Sequence, residues 1–184
     1  MPFWRPYKYD MTKRHFTRLV QNAKADVLQI FVDQLRKEKI KYGVIGGLAV
    51  NAYAEPVVSL DLDLVVEAGR IQDILKTLPP GSKIKKFSNS LNISFAESDL
   101  RIQIQTDSRY QAFLSGVRRR NVLGYTMSVA RIEDVFQGKL WAALDKTRRP
   151  SKRQKDLADI LRLLEKRKTL GRLIPEELKA RLSL

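Results

Sequence analysis

Asp61 and Asp63 stand one residue apart in the run Ser59-Leu60-Asp61-Leu62-Asp63-Leu64. Successive side chains of a strand point to opposite faces, so an extended chain here sets both carboxylates on one face and the three leucines on the other. Carboxylates held together repel each other, and the arrangement makes sense chiefly when a metal or a basic partner compensates. Their oxygens can converge on one or two hard divalent ions, magnesium or manganese, which take oxygen ligands and usually work on phosphates. The plainer alternative is an ordinary exposed strand edge, and the surrounding sequence decides between the two.

Upstream, Tyr42 to Ile45 is a short apolar run stopped by Gly46 and Gly47, and Leu48 to Ala54 is rich in helix formers and closed by Pro56. This reads as strand, tight glycine turn and short helix. Glycines at such a turn remove side chains, so that backbone amides and the positive helix end can approach a triphosphate.

Composition removes competing chemistries. With no Cys there is no disulfide, no Cys-ligated zinc and no thiol nucleophile, and the single His15 makes neither a histidine metal site nor a triad. Any metal must therefore be held by carboxylates. No stretch approaches the run of about eighteen apolar residues that a membrane helix needs, and the start of the chain does not read as a signal peptide, so a cytoplasmic protein is expected.

The net charge of +15 and the pI near 10.2 favour a polyanionic partner, because each phosphate that a Lys or Arg neutralises releases a counterion. From Arg101 onward 20 Lys and Arg face 9 acidic residues, against 15 and 11 in the first hundred residues. The excess peaks between Lys146 and Lys155, where Lys146, Arg148, Arg149, Lys152, Arg153 and Lys155 are six of ten residues. Such a run can guide an RNA to an active site or form a solvated loop.

The elements that must position these groups are legible as patterns. Thr12 to Ile40 reads as one long amphipathic helix, with Phe16, Leu19, Val20, Ala23, Val27, Ile30, Phe31 and Leu35 as its stripe. Ser59 to Glu67 is a strand, Arg70 to Leu78 a helix, and Lys83 to Phe87, Leu91 to Phe95 and Leu100 to Thr106 are three strands after the Pro79-Pro80-Gly81 turn. Gln111 to Gly116 forms a short helix and Asn121 to Ala130 is strand-like. The remainder is helical: Ile132 to Asp145, Arg153 to Arg167 with the stripe Leu157, Ile160, Leu161 and Leu164, and a short piece from Pro175 to Leu182. That pattern leaves Asp156 and Asp159 on another face, as solvent-facing partners of Lys155 or Arg162 in the bland reading. The expected fold is α+β, a mixed β-sheet flanked by helices with a C-terminal helical portion. Three segments are expected: a leader and long helix over 1–41, a core over 42–130 and helices over 131–184 packed on it. The leader residues Phe3, Trp4, Tyr7 and Tyr9 are expected to pack on the domain.

Glycine pair, short helix and acid-x-acid on the next strand together resemble the nucleotidyltransferase superfamily of the DNA polymerase beta type. Within it the chain looks like the small bacterial AbiEii and AbiGii toxin-like proteins, on Tyr53, Pro56 and Ser59 before the acid pair and on Lys139, Ala142, Lys155, Asp156 and Asp159 in the later helices. The likeness runs from about Tyr42 to Leu164. It implies that Asp61 and Asp63 bind magnesium, that Gly46, Gly47 and Ser59 face the nucleotide phosphates, and that Lys139, Lys155 and Asp156 complete the site. A nucleoside triphosphate is the implied donor, and an RNA such as a tRNA, or a partner toxin protein, the implied acceptor.

The chain departs from that pattern in two places. Active relatives present a third carboxylate from a neighbouring strand, and Leu100 to Thr106 offers Arg101, Gln103 and Gln105 on the corresponding face. A glutamine cannot abstract a proton and is a poor magnesium ligand. Asp107 beyond the strand end is the best substitute and Asp99 a poorer one. Val57 stands where relatives often carry an arginine. Three functions are therefore weighed: nucleotidyl transfer to RNA, transfer to a protein, and a degenerate, noncatalytic fold that binds nucleotide, RNA or a protein.

Overall fold

The computed structural model describes residues 13–183, so the aromatic leader lies outside the described residues. In chain order the elements are α1 (Lys13–Val20), α2 (Val27–Lys37), β1 (Tyr42–Ile45), α3 (Gly46–Val50), β2 (Asp61–Val66), α4 (Ile71–Lys76), β3 (Lys83–Lys86), β4 (Ser90–Phe95) and β5 (Ser98–Gln105). After a 3-10 helix over Ser108–Gly116 come β6 (Arg118–Val122), β7 (Tyr125–Val129), α5 (Ile132–Leu144), α6 (Pro150–Lys166), a second 3-10 helix (Lys168–Leu173) and α7 (Glu176–Leu182).

Seven strands form one mixed sheet in the order β3-β4-β5-β2-β1-β7-β6. At its centre β1 runs antiparallel to β2 and parallel to β7, and β2 runs parallel to β5. The central strands are rich in Val, Ile and Leu, as strands buried by helices must be. Leu62, Leu64, Ile93, Ile102 and Ile104 are essentially inaccessible, and the same core takes in Leu28 near one end of the chain and Leu178 near the other.

The expected helix over Thr12 to Ile40 is two helices. Asn22 turns left-handed at φ 48°, and Asp26 caps a fresh start, its Oδ1 accepting from the Gln29 amide at 3.1 Å. The break shifts the phase, so the buried stripe is Leu28, Phe31, Val32 and Leu35, while Phe16, Leu19 and Ile30 are exposed. The expected single strand over Asn121 to Ala130 is a hairpin, β6 and β7, whose turn places both Leu123 and Gly124 at positive φ. α6 begins at Pro150 rather than Arg153, since a proline in the first turn gives up no hydrogen bond.

Candidate active site

Two local features fold the site. Ile45 ends β1, and Gly46 then turns left-handed at φ +66°. A Cβ on Gly46 would lie 2.1 Å from Asp63 Oδ2 and 2.8 Å from Asp63 Cβ, so only glycine lets the turn close on that carboxylate. Gly47 is different: a Cβ there would make ordinary contacts, 3.6 Å from Ser59 Oγ and 3.9 Å from Lys155 Nζ. Ser59 and Lys155 thus both come close to Gly47.

In β2 the alternation is as expected, with Leu62 and Leu64 in the core and Asp61 and Asp63 both on the opposite face, partly covered. Asp61 Oδ1 lies 2.7 Å from the Arg101 guanidinium, and Asp61 Oδ2 lies 3.5 Å from Lys152 Nζ. Burial pushes the Asp63 carboxyl above the ordinary aspartate range and Asp61 adds to the rise, against the pull of Lys139. Ser59 Oγ is buried and turned to the Asp61 main chain, 3.3 Å from its amide.

The helical residues of the site come together in a manner amphipathic reasoning did not anticipate. Asp156 and Asp159 are buried, not solvent-facing: Lys139 Nζ lies 2.9 Å from Asp156 Oδ1 and 2.7 Å from Asp159 Oδ2. Their partners are therefore Lys139, Arg148 and Arg162 rather than Lys155, with Arg148 Nε 2.7 Å from Asp156 Oδ2 and Arg162 Nη1 2.6 Å from Asp159 Oδ1. Burial lowers the Lys139 ammonium's affinity for its proton, but the two carboxylates outweigh it and leave the pKa raised. The buried stripe of α6 is accordingly Leu157, Ile160 and Leu163, with Leu161 exposed. Gly46, Asp63, Lys139 and Asp156, half of the expected site residues, line one cleft together with Gln103 and Arg148, whereas Asp61, Gly47, Ser59 and Lys155 do not line it.

The basic run is more than a solvated loop. Arg148 and Lys152 reach the aspartates and Lys155 reaches Gly47, whereas Lys146 and Arg149 are exposed.

The third carboxylate is absent from its expected strand. Parallel pairing sets Arg101 beside Asp61 and Gln103 beside Asp63. Asp107 is no substitute, because Arg109 engages both of its oxygens, and Asp99 is exposed. No group of three or more His, Cys, Asp or Glu able to hold a metal occurs among the described residues. Asp61 and Asp63 alone still fit one magnesium or manganese ion, which is commonly bound through one or two carboxylates plus substrate phosphates and water.

Sequence reasoning missed Asn51. Its amide donates to the Val57 carbonyl at 2.6 Å and accepts from the Val57 amide at 2.9 Å, and Arg162 Nη2 binds the same oxygen at 2.9 Å. The loop that delivers Ser59 to β2 is thereby tied to the buried charges of α6. An Asn directly after a short helix is the signal for such a loop clasp.

No family model and no curated protein matches the chain. Solved structures do match it in fold. The antibiotic-resistance factor ANT(2'')-Ia superposes with a TM-score of 0.57 at 13% identity, over 85% of this chain and 91% of that one. LnuA, a lincosamide antibiotic adenylyltransferase solved with lincomycin, gives 0.54 at 15% identity, over 77% and 99%. An antigenic nucleotidyltransferase-like protein from Paracoccidioides brasiliensis gives 0.53 at 16%, over 85% and 90%. The chain thus has the nucleotidyltransferase fold, α+β with a mixed seven-stranded sheet. No helix among the described residues is long and apolar enough to cross a membrane.

Proposed function

We propose that the chain is a magnesium-dependent nucleotidyltransferase that moves a nucleoside monophosphate from a nucleoside triphosphate to an RNA. The observation that carries this reading is the closure of the Gly46 turn on Asp63, with Asp61 on the same strand face. Asp61 and Asp63 hold the ion, and Gly46, Gly47, Ser59 and Lys155 face the phosphates. A bound magnesium supplies charge neutralisation on the triphosphate oxygens. Lys139, held by Asp156 and Asp159, places fixed positive charge beside Asp63, and Lys152 and Arg148 attract the departing pyrophosphate. The acceptor oxygen bonds to the α-phosphorus as pyrophosphate leaves.

RNA is favoured as acceptor by the net charge of +15, which repels cationic acceptors and attracts polyanions. The Lys139, Lys155 and Asp156 set supports the narrower likeness to the AbiEii and AbiGii toxin-like proteins, and with it a place in a toxin-antitoxin pair, where a partner toxin protein is the competing acceptor. A second reading, a noncatalytic nucleotide- or RNA-binding module, is favoured by Gln103 beside Asp63.

The deciding experiment is calorimetric titration with each nucleoside triphosphate, with and without magnesium, for the wild type and the Asp61→Ala, Asp63→Ala double variant. Magnesium-dependent binding confined to the wild type is expected. Absence of binding by every nucleotide sinks the enzyme reading.

A further inference from the structure

A nucleotidyl transfer to a hydroxyl must remove a proton from the attacking oxygen, and the strand beside the metal ligands offers nothing to take it. Gln103 occupies the place next to Asp63. The other acids around the cleft are engaged: Asp156 by Lys139 and Arg148, Asp134 by Arg131, Asp107 by Arg109 and Asp145 by Thr147. The next residue along that face is a cation. Arg101 stands in register with Asp61, its guanidinium 2.7 Å from the carboxylate and its side chain 59% exposed, so it is accessible to a ligand arriving beside Asp61. The rows across the sheet continue the same character, with Ser94 beyond Arg101 and Asn92 beyond Gln103. This face carries hydrogen-bond donors and positive charge where a base is required for hydroxyl chemistry.

We infer that the acceptor nucleophile is an oxygen that is already anionic, a terminal phosphate monoester, bound by Arg101 and the Gln103 amide. The inference rests on the nucleotidyl-transfer reading above. A phosphate monoester has its second pKa at about 6, so at neutral pH it presents an oxygen carrying no proton. Guanidinium groups match phosphate geometry with paired N–H donors, and a glutamine side chain adds a neutral N–H. The step balances without a base. A phosphate oxygen of the acceptor forms a bond to the α-phosphorus, and the bond from that phosphorus to the oxygen bridging to the β-phosphorus breaks. Its electron pair leaves on pyrophosphate, no proton is transferred, and the product is a phosphoanhydride.

The test uses wild-type protein, magnesium and nucleoside triphosphate radiolabelled at the α-phosphate. One RNA oligonucleotide is supplied with hydroxyls at both ends or with a phosphate at either end, and a small sugar phosphate forms a separate arm. Label is expected on phosphate-bearing acceptors alone, in a linkage that a nucleotide pyrophosphatase cleaves. Labelling of the sugar phosphate as well identifies the phosphate itself as the recognised group, and labelling of RNA alone identifies a phosphate at an RNA end; both uphold the inference. Arg101→Ala is expected to raise the acceptor KM by about tenfold, the loss of one charge-assisted contact, with kcat less affected and partial rescue by Arg101→Lys. Equal labelling of hydroxyl-ended RNA overturns the inference. So does the absence of label on every acceptor while magnesium-dependent nucleotide binding persists in calorimetry. Loss of that binding in the wild type identifies instead a failure of the parent reading.

Discussion

Lys139 Nζ lies between Asp156 Oδ1 and Asp159 Oδ2, at 2.9 Å and 2.7 Å, with all three side chains almost completely withdrawn from solvent. Removing the cation leaves two buried carboxylates that share only Arg148 and Arg162. Breaking a buried ion network by deleting one partner costs about 3–5 kcal/mol, and the surviving arginines place Lys139→Met at the lower end, about 3 kcal/mol. Urea denaturation of the variant measures this, and a loss under about 1 kcal/mol would show that the network carries little stability.

The two glycines separate steric need from flexibility. Gly46→Ala places a methyl against Asp63 at a φ of +66°, so it is expected to cost at least about 2 kcal/mol and to abolish nucleotide binding. Gly47→Ala meets only ordinary contacts and gains helix propensity, so its stability is expected to stay within about 1 kcal/mol of wild type. Thermal melts of both variants side by side check the contrast; equal losses would contradict it.

The pH dependence of the metal-free protein follows from Asp63. Its folded pKa is raised above its unfolded value by burial, so the folded state binds the more protons between the two values. Stability is thus unpenalised below the unfolded pKa and falls as pH rises through the folded one. Asp63→Asn removes that fall. In a chelator-containing buffer the variant is expected to melt above wild type at neutral pH and to lose the difference near pH about 3, below the ordinary aspartate value. The same variant is expected to lose magnesium-dependent nucleotide binding, which places the cost of burying Asp63 on the side of function.

How far these relationships were legible in the sequence depends on how local they are. Asp61 and Asp63 alternate with leucines, and strand geometry alone sets them on one face. The Gly46 turn sits where a strand stops, and both its place and its partner strand agree with the structure. Gln103 and Arg101 were assignable to one face of β5, but their pairing with Asp63 and Asp61 needed the parallel register of β2 and β5. The burial of Asp156 and Asp159 was hidden because a period of 3.6 assigns acids to the wet face unless a cation reaches them, and Lys139 is 17 residues from Asp156 in sequence. Leu123 in the left-handed region was hidden because a leucine gives no signal of positive φ, whereas the break at Asn22 carried one that the long apolar stripe masked, asparagine being enriched at positive φ.

Salt dependence separates a specific anion site from diffuse attraction. Single-stranded nucleic acid releases about 0.7 counterions per phosphate neutralised, so RNA binding through three or four side chains is expected to give a log–log salt slope of about −2 to −3. Charge reversal at the exposed pair Lys146 and Arg149 is expected to weaken RNA binding at low salt. Fluorescence anisotropy over a salt series measures both, and a flat dependence would remove the polyanion from the reading.

Asn51 joins the site's two halves, and its loss is expected to be felt at a distance. Its amide clasps Val57 through both backbone groups while Arg162, which also pairs with Asp159, binds the same oxygen. Asn51→Ala removes the partner of the Val57 amide and carbonyl and of one arginine donor; because Val57 is exposed and its groups can turn to water, the loss is expected to be about 1 kcal/mol. Because the clasped loop carries Ser59 into β2, weaker nucleotide binding is expected along with the loss of stability. Asn51→Asp keeps the acceptor for the Val57 amide and for Arg162, and loses only the donation to the Val57 carbonyl. It is therefore expected to recover part of the stability. Calorimetry and thermal melting of the two variants decide the matter: a destabilised Asn51→Ala protein that binds nucleotide as wild type does would show that the loop clasp serves the fold alone.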